Sequence, residues 1–221
     1  KGGAWHVMLA GAPGEIIAYT DADVLFSPSW LSRSVEILET FPNVGMVTAR
    51  PFRTSPELYT STQEWARKNA TLDEDQFIPW ETFLEFNLSL GQTEEENVKV
   101  YAETSDWRIQ YKGLTALAGA SHWQFTAYKS TLQQFLPFDM DKPMGQVRQL
   151  DKRMNDAGLL RLMVSDPLAM NMSNTLGYLR GELKKEERRK KVGVGKRILE
   201  LPPIKKMLLA VYNKIFSWYY S

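Results

Sequence analysis

The stretch Gly14-Glu15-Ile16-Ile17-Ala18-Tyr19-Thr20-Asp21-Ala22-Asp23-Val24 decides the fold. Apolar and β-favouring residues run from a glycine turn straight into two carboxylates separated by one small residue. A short apolar run bounded by a turn signal predicts a buried strand of a parallel sheet. The acidic pair then falls at the strand's carboxyl end, the edge at which open α/β sheets bind ligands. Two carboxylates this close repel each other in a partly buried cleft unless a cation joins them. Hard oxygen donors favour Mg2+ or Mn2+, and an ion held by only two carboxylates keeps positions for substrate phosphates. Asp is also common in turns, so an acidic strand-to-loop turn is the plain alternative.

Around this stretch the chain alternates helix and strand. Trp5, Met8 and Leu9 stand at helical spacing, and Gly11-Ala12-Pro13-Gly14 stops that helix. Ser27-Pro28 predicts an N-cap followed by the first helical residue, with Leu31, Val35 and Leu38 as the apolar stripe. Val44 to Thr48 is the next strand, and the rhythm is that of a parallel sheet with crossovers. Residues 54 to 112 break it. Leu58, Thr62, Trp65 and Ala66 predict one helix and Trp80, Leu84 and Leu88 another, with Asp73-Glu74-Asp75 and Glu94-Glu95-Glu96 read as solvated loops. Leu114 to Ala118 is apolar and leads into Gly119-Ala120-Ser121-His122-Trp123. Ser130 and Gln133 read as a capping box. A helix from Gly145 to Ala157 closes on Gly158, a strand runs from Leu160 to Val164, and Asp166-Pro167 turns the chain.

The ordered set Lys1-Gly2-Gly3-Ala4, Gly14-Glu15, Ile16 to Tyr19, Asp21-Ala22-Asp23, Pro28 and Trp30 closely resembles the metal-binding Asp-x-Asp region of family 2 glycosyltransferases, which have the GT-A fold. The resemblance covers residues 1 to 50 well and residues 115 to 175 more loosely. It implies an α/β fold with a mostly parallel sheet flanked by helices. Residues 1–177 would be its carboxyl-terminal part, lacking the first strands, with 54–112 a mainly helical insertion. The chain opens inside an expected helix without an initiator Met, which fits that truncation. The implied cofactor is Mn2+ or Mg2+ on Asp21 and Asp23. The implied partners are a nucleotide-diphosphate sugar donor and a hydroxyl acceptor, contacted by Asp21, Ala22, Gly119, Ser121, His122 and Trp123. Many related enzymes add a third metal ligand from a late His, and Asn171 stands at that place here. An amide oxygen can bind these ions but carries no charge.

The resemblance also calls for a carboxylate that takes the acceptor's proton, near the start of the 145–157 helix. Gln146 and Val147 stand where the family has its Glu-Asp pair. Asp151 lies one turn later, on the face shared with Val147, Leu150 and Met154. A carboxylate on an apolar stripe is costly unless it is paired or lines a cleft. Asp151 is therefore the expected base, and an ion pair with an Arg is the competing reading. Asp139, in the family's Phe-Asp element, is the runner-up, with Asp141 beside it. His6 is expected to pack or face solvent.

Composition limits the rest. Without cysteine there is no disulfide framework and no thiolate metal site, and no apolar run approaches the roughly 20 residues of a membrane span. The formal charge of +1 hides an asymmetry. Residues 178–221 hold 12 Lys/Arg against 4 Asp/Glu, while residues 1–177 hold 15 against 22. Ile204, Met207, Leu208, Val211, Tyr212, Ile215, Phe216 and Tyr219 follow helical spacing behind the basic run Lys184 to Lys191. A basic linker and an amphipathic helix over 178–221 predict contact with an anionic membrane surface, and hence a cytoplasmic, peripheral protein, or else docking on the chain's own body. The acidic remainder argues against a nucleic-acid partner. Asn-x-Ser/Thr triplets at Asn69, Asn87 and Asn171 matter only in a secreted protein. Three rivals remain: a haloacid dehalogenase-type phosphatase, a nucleotidyltransferase on a similar sheet, and a membrane-surface adaptor with an inert domain. The phosphatase has a Thr or Val two residues past the second Asp, where this chain has Leu25.

Overall fold

The computed structural model describes residues 2–138 and 145–172, with side chains from residue 4 and, in the last helix, from residue 148. Asp139, Asp141 and the segment 178–221 lie outside the described residues, as does the side chain of Val147. The elements run α1 (Gly2–Gly11), β1 (Ile16–Thr20), β2 (Val24–Phe26), α2 (Trp30–Thr40), β3 (Val44–Thr48), α3 (Thr60–Asn69), β4 (Thr71–Asp75), α4 (Trp80–Ser89) and α5 (Glu94–Glu103). They continue with β5 (Asp106–Tyr111), β6 (Leu114–Ala118), β7 (Gln124–Tyr128), α6 (Lys129–Gln133), α7 (Gly145–Asp156), β8 (Leu160–Val164) and β9 (Ala169–Asn171).

This is an α/β fold whose mixed seven-stranded sheet has the order β1-β7-β3-β8-β6-β5-β4 and is flanked by helices. β3 and β8 pair in parallel, and the remaining ladders of that sheet are antiparallel. β1 and β3 both run against β7, so β1, β3 and β8 point the same way. The expected direction of β1 is right and its expected neighbours are not. β7, from much later in the chain, enters between β1 and β3, which no reading of consecutive segments reveals.

β1 is therefore an edge strand rather than a buried one. Ile17 is buried, while Ala18 and Thr20 are exposed. β3 and β8, the central pair, are buried along their whole length. Met46 and Val47, neighbours on β3, enter different apolar clusters because successive side chains leave opposite faces. Trp5 and Leu9 of α1 join the Met46 cluster with Phe125, Leu132, Leu150 and Met154.

Several local expectations shift. α2 begins at Trp30, after Ser29 at φ 70°, so Pro28 precedes the helix. Its buried positions are Ser34, Ile37 and Leu38, and Leu31 is exposed. α6 opens after Tyr128 with no side-chain cap, which removes the Ser130 capping box. The 54–112 insertion holds three α-helices, but also β4 and β5, which extend the sheet as a meander with β6. Asp73-Glu74-Asp75 is a strand, not a loop, and Asp73 accepts from Arg108 opposite it at 2.9 Å. Glu94-Glu95-Glu96 forms the first turn of α5, where Thr93 and Glu96 make a capping box. Negative charge at a helix N-terminus is favourable there. Among the described residues no helix is long and apolar enough to cross a membrane.

Candidate active site

β1 delivers Asp21 and Asp23 to the sheet edge shared by the carboxyl ends of β1, β3 and β8, where such folds bind ligands. The loop is held on both sides by backbone. The Asp21 N–H donates to the Trp123 carbonyl at 2.9 Å, and the Met172 N–H donates to the Asp23 carbonyl at 2.7 Å. β2 then pairs with β9 so that Val24 lies opposite Asn171. The expected third ligand is thus one register step from Asp23, although the two are far apart in sequence. Asp21, Ala22 and Asp23 are exposed, while Asn171 is buried.

Tyr19 fixes the first carboxylate: its hydroxyl donates to Asp21 Oδ1 at 3.0 Å. Burial raises the Tyr19 phenol above its ordinary value, its bond with Trp5 opposes this, and the Asp21 carboxylate raises it further. The phenol therefore stays protonated and able to donate at neutral pH. Among the described residues no three His, Cys, Asp or Glu converge on a metal-sized site. The donor set on offer is Asp21, Asp23 and the Asn171 amide, all hard oxygens suited to Mg2+ or Mn2+.

The 119–123 turn lies beside this loop for identifiable reasons. The Gly119 N–H donates to the Arg161 carbonyl at 2.9 Å, and the Ser121 N–H to Thr48 Oγ1 at 2.9 Å. Gly119 has φ 121°, and a Cβ there would lie 3.2 Å from both Met163 Cε and Thr54 Oγ1. A glycine is required for backbone approach, whatever else it touches. Trp123 is buried against Phe52 and Phe86, so its ring belongs to the core and only its carbonyl reaches the Asp21 loop. Ser121 and His122 remain partly exposed, whereas His6 faces solvent on α1.

Asp151, the expected base, is engaged on both of its oxygens. It is buried, with Oδ1 2.6 Å from Arg161 Nη2 and Oδ2 3.4 Å from His122 Nδ1. Its neighbours on α7, Leu150 and Met154, are fully buried as expected. Arg161 also donates to the carbonyls of Ala120 and Leu58, each at 2.6 Å. Burial pulls the Arg161 guanidinium down from its ordinary range, and Asp151 holds it up in part. The ion-pair reading of Asp151 describes this geometry. Arg161 and Tyr19 were not singled out by sequence reasoning. A lone Arg inside Leu160-Arg161-Leu162-Met163-Val164 was the available signal, since a cation there needs a buried anion.

Protein-family models, curated proteins and solved structures contain no match to this chain. Its chemistry has to be read from the site alone.

Proposed function

We propose that this chain carries the metal-dependent site of an inverting glycosyltransferase, which moves a sugar from a nucleotide diphosphate to an acceptor hydroxyl. The observation that carries this reading is the Asp21-Ala22-Asp23 loop, held between Trp123 and the strand that presents Asn171. Asp21, Asp23 and Asn171 would hold Mn2+ or Mg2+, whose chemistry is to neutralise the leaving diphosphate. Tyr19 orients Asp21, and the buried 119–123 anchors fix the wall beside it. The resemblance to family 2 glycosyltransferases, and with it the GT-A arrangement, belongs to this proposal.

The phosphatase alternative fits less well. It has a Thr or Val two residues past the second Asp, where this chain has Leu25. We further propose that the basic segment 178–221 brings the enzyme to an anionic membrane, on the strength of its surplus of eight positive charges.

The test is nucleoside diphosphate release by the full-length protein from UDP-, GDP- and dTDP-sugars, with and without Mn2+. Release from one donor class that needs the metal and disappears in Asp23→Ala supports transfer. Metal-independent release, or full activity in Asp23→Ala, rejects it.

A further inference from the structure

Among the described residues, a partly exposed side chain, His122, joins the Asp151–Arg161 pair. Its Nδ1 lies 3.4 Å from Asp151 Oδ2, and its side chain retains 31% of its surface. Asp151 retains only 6% of its side-chain surface and Arg161 none. An ionised carboxylate only accepts hydrogen bonds, and Asp151 Oδ1 accepts one from Arg161 Nη2. With Asp151 ionised, a hydrogen bond between the two groups places the proton on Nδ1 and leaves a lone pair on Nε2, the other ring nitrogen. A carboxylate behind one imidazole nitrogen is the arrangement that fixes a histidine's tautomer and stabilises its protonated form.

The backbone places this imidazole beside the metal loop. Trp123, the next residue, accepts the Asp21 N–H, and Thr20 pairs with Gln124 across β1 and β7. His122 is thus held in the chain between the anchored Ser121 and Trp123, while Asp151 meets its Nδ1 directly and is itself held by Arg161. Gln146 and Val147, which replace the carboxylates that the family resemblance calls for, leave no acidic proton acceptor at that place.

We infer that His122 is the proton acceptor of the transfer and that Asp151 is its positioning residue. This inference rests on the proposed glycosyl transfer. The acceptor oxygen forms a bond to the sugar's anomeric carbon as the bond from that carbon to the diphosphate oxygen breaks. The diphosphate leaves with the bonding electron pair, and the acceptor's hydroxyl proton passes to His122 Nε2. No oxidant or further reactant is needed.

Two readouts decide it. In the full-length protein, with the UDP-, GDP- or dTDP-sugar that it turns over in Mn2+, His122→Gln lowers kcat by about 10²–10⁴-fold and leaves the donor KM within a few-fold. His122 is partly exposed, so this variant keeps the wild-type melting temperature. The chain has only two histidines, so nitrogen-detected NMR of the imidazoles, assigned with His6→Gln, reads the tautomer directly. Wild-type His122 carries its proton on Nδ1, and Asp151→Asn abolishes that preference. Unchanged kcat in His122→Gln, or an Nε2-protonated tautomer in the wild type, overturns the inference alone. No turnover of any donor, together with no Mn2+-dependent donor binding, rejects the transfer reading itself and the base role with it. The tautomer result then still reports whether Asp151 orients the ring.

Discussion

Asp23 and Asn171 sit at adjoining ends of β2 and β9, joined by the Met172 N–H that donates to the Asp23 carbonyl. If the proposed ion binds at Asp21 and Asp23, that juxtaposition puts a neutral amide within reach of tuning its affinity. Asn171→Asp adds a charge where the amide now stands. Mn2+ should then bind about tenfold more tightly, a gain of about 1.4 kcal/mol. Without metal the same variant should melt lower, because the new carboxylate is buried beside Asp23. Titration calorimetry and melting curves with and without Mn2+ check both signs. A variant whose melting temperature ignores Mn2+ would show that residue 171 lies outside the ion's reach.

The Asp151–Arg161 pair should matter for stability before it matters for chemistry. Removing one member of a buried pair costs about 3–5 kcal/mol, because the other charge is left uncompensated. Arg161→Met should therefore lower stability strongly. A double variant, Arg161→Met with Asp151→Leu, should recover much of the loss, since apolar replacement of a buried pair is often neutral. Denaturant unfolding of the two proteins measures this. Equal losses in both would mean that the Arg161 bonds to Ala120 and Leu58 hold the site instead.

How much of this was legible follows from the range of each interaction. The Asp21-Ala22-Asp23 loop, the 145–157 helix and the fully buried β3 and β8 were readable because apolar runs and caps are local. β5 and β6 also carry a local signal of their hairpin. Tyr111 pairs with Leu114 across Lys112-Gly113, and both turn residues have positive φ, as a two-residue hairpin turn requires. The pairing of β1 with β7 was not legible, since it depends on a strand remote in sequence. The state of Asp151 was half legible. Its place on a buried face was read correctly, but its partner lay on another element, inside an apolar strand. The partner that a buried carboxylate needs is supplied here by that remote strand.

Ser29 offers a local test of backbone strain. It precedes α2 at φ 70°, makes no side-chain cap bond, and pays the left-handed penalty of about 1–2 kcal/mol. Ser29→Gly should raise stability by up to about 1 kcal/mol. Ser29→Ala should not, because its Cβ keeps the strain. Melting temperatures of the pair separate relief of strain from loss of a cap.

Buried Tyr59 and partly buried Tyr101 should weaken the fold at alkaline pH. Burial raises Tyr59 above the ordinary value, with Asp106 and Glu74 adding to the effect, and burial likewise raises Tyr101. A phenol with a raised folded-state pKa stabilises the fold fully below its unfolded value of about 10. That stability is lost as pH climbs through the folded value. Unfolding free energy should therefore hold steady up to about pH 10 from these groups and decline above it. Tyr59→Phe should flatten the decline, as seen by denaturant titration across that range. An unchanged slope in Tyr59→Phe would assign the alkaline loss to other groups.

The charge division of the chain yields the last expectation. Residues 178–221 carry a surplus of eight positive charges, whereas residues 1–177 carry a deficit of seven. Each Lys or Arg near an anionic surface contributes about 1 kcal/mol, and salt screens this within a distance of about 10 Å at 0.1 M. The full-length protein should therefore sediment with vesicles containing phosphatidylserine and not with neutral phosphatidylcholine vesicles. Deleting residues 180–221 or raising salt should release it. Binding that survives both the deletion and the salt would move the membrane contact to the acidic body, where electrostatic attraction cannot supply it.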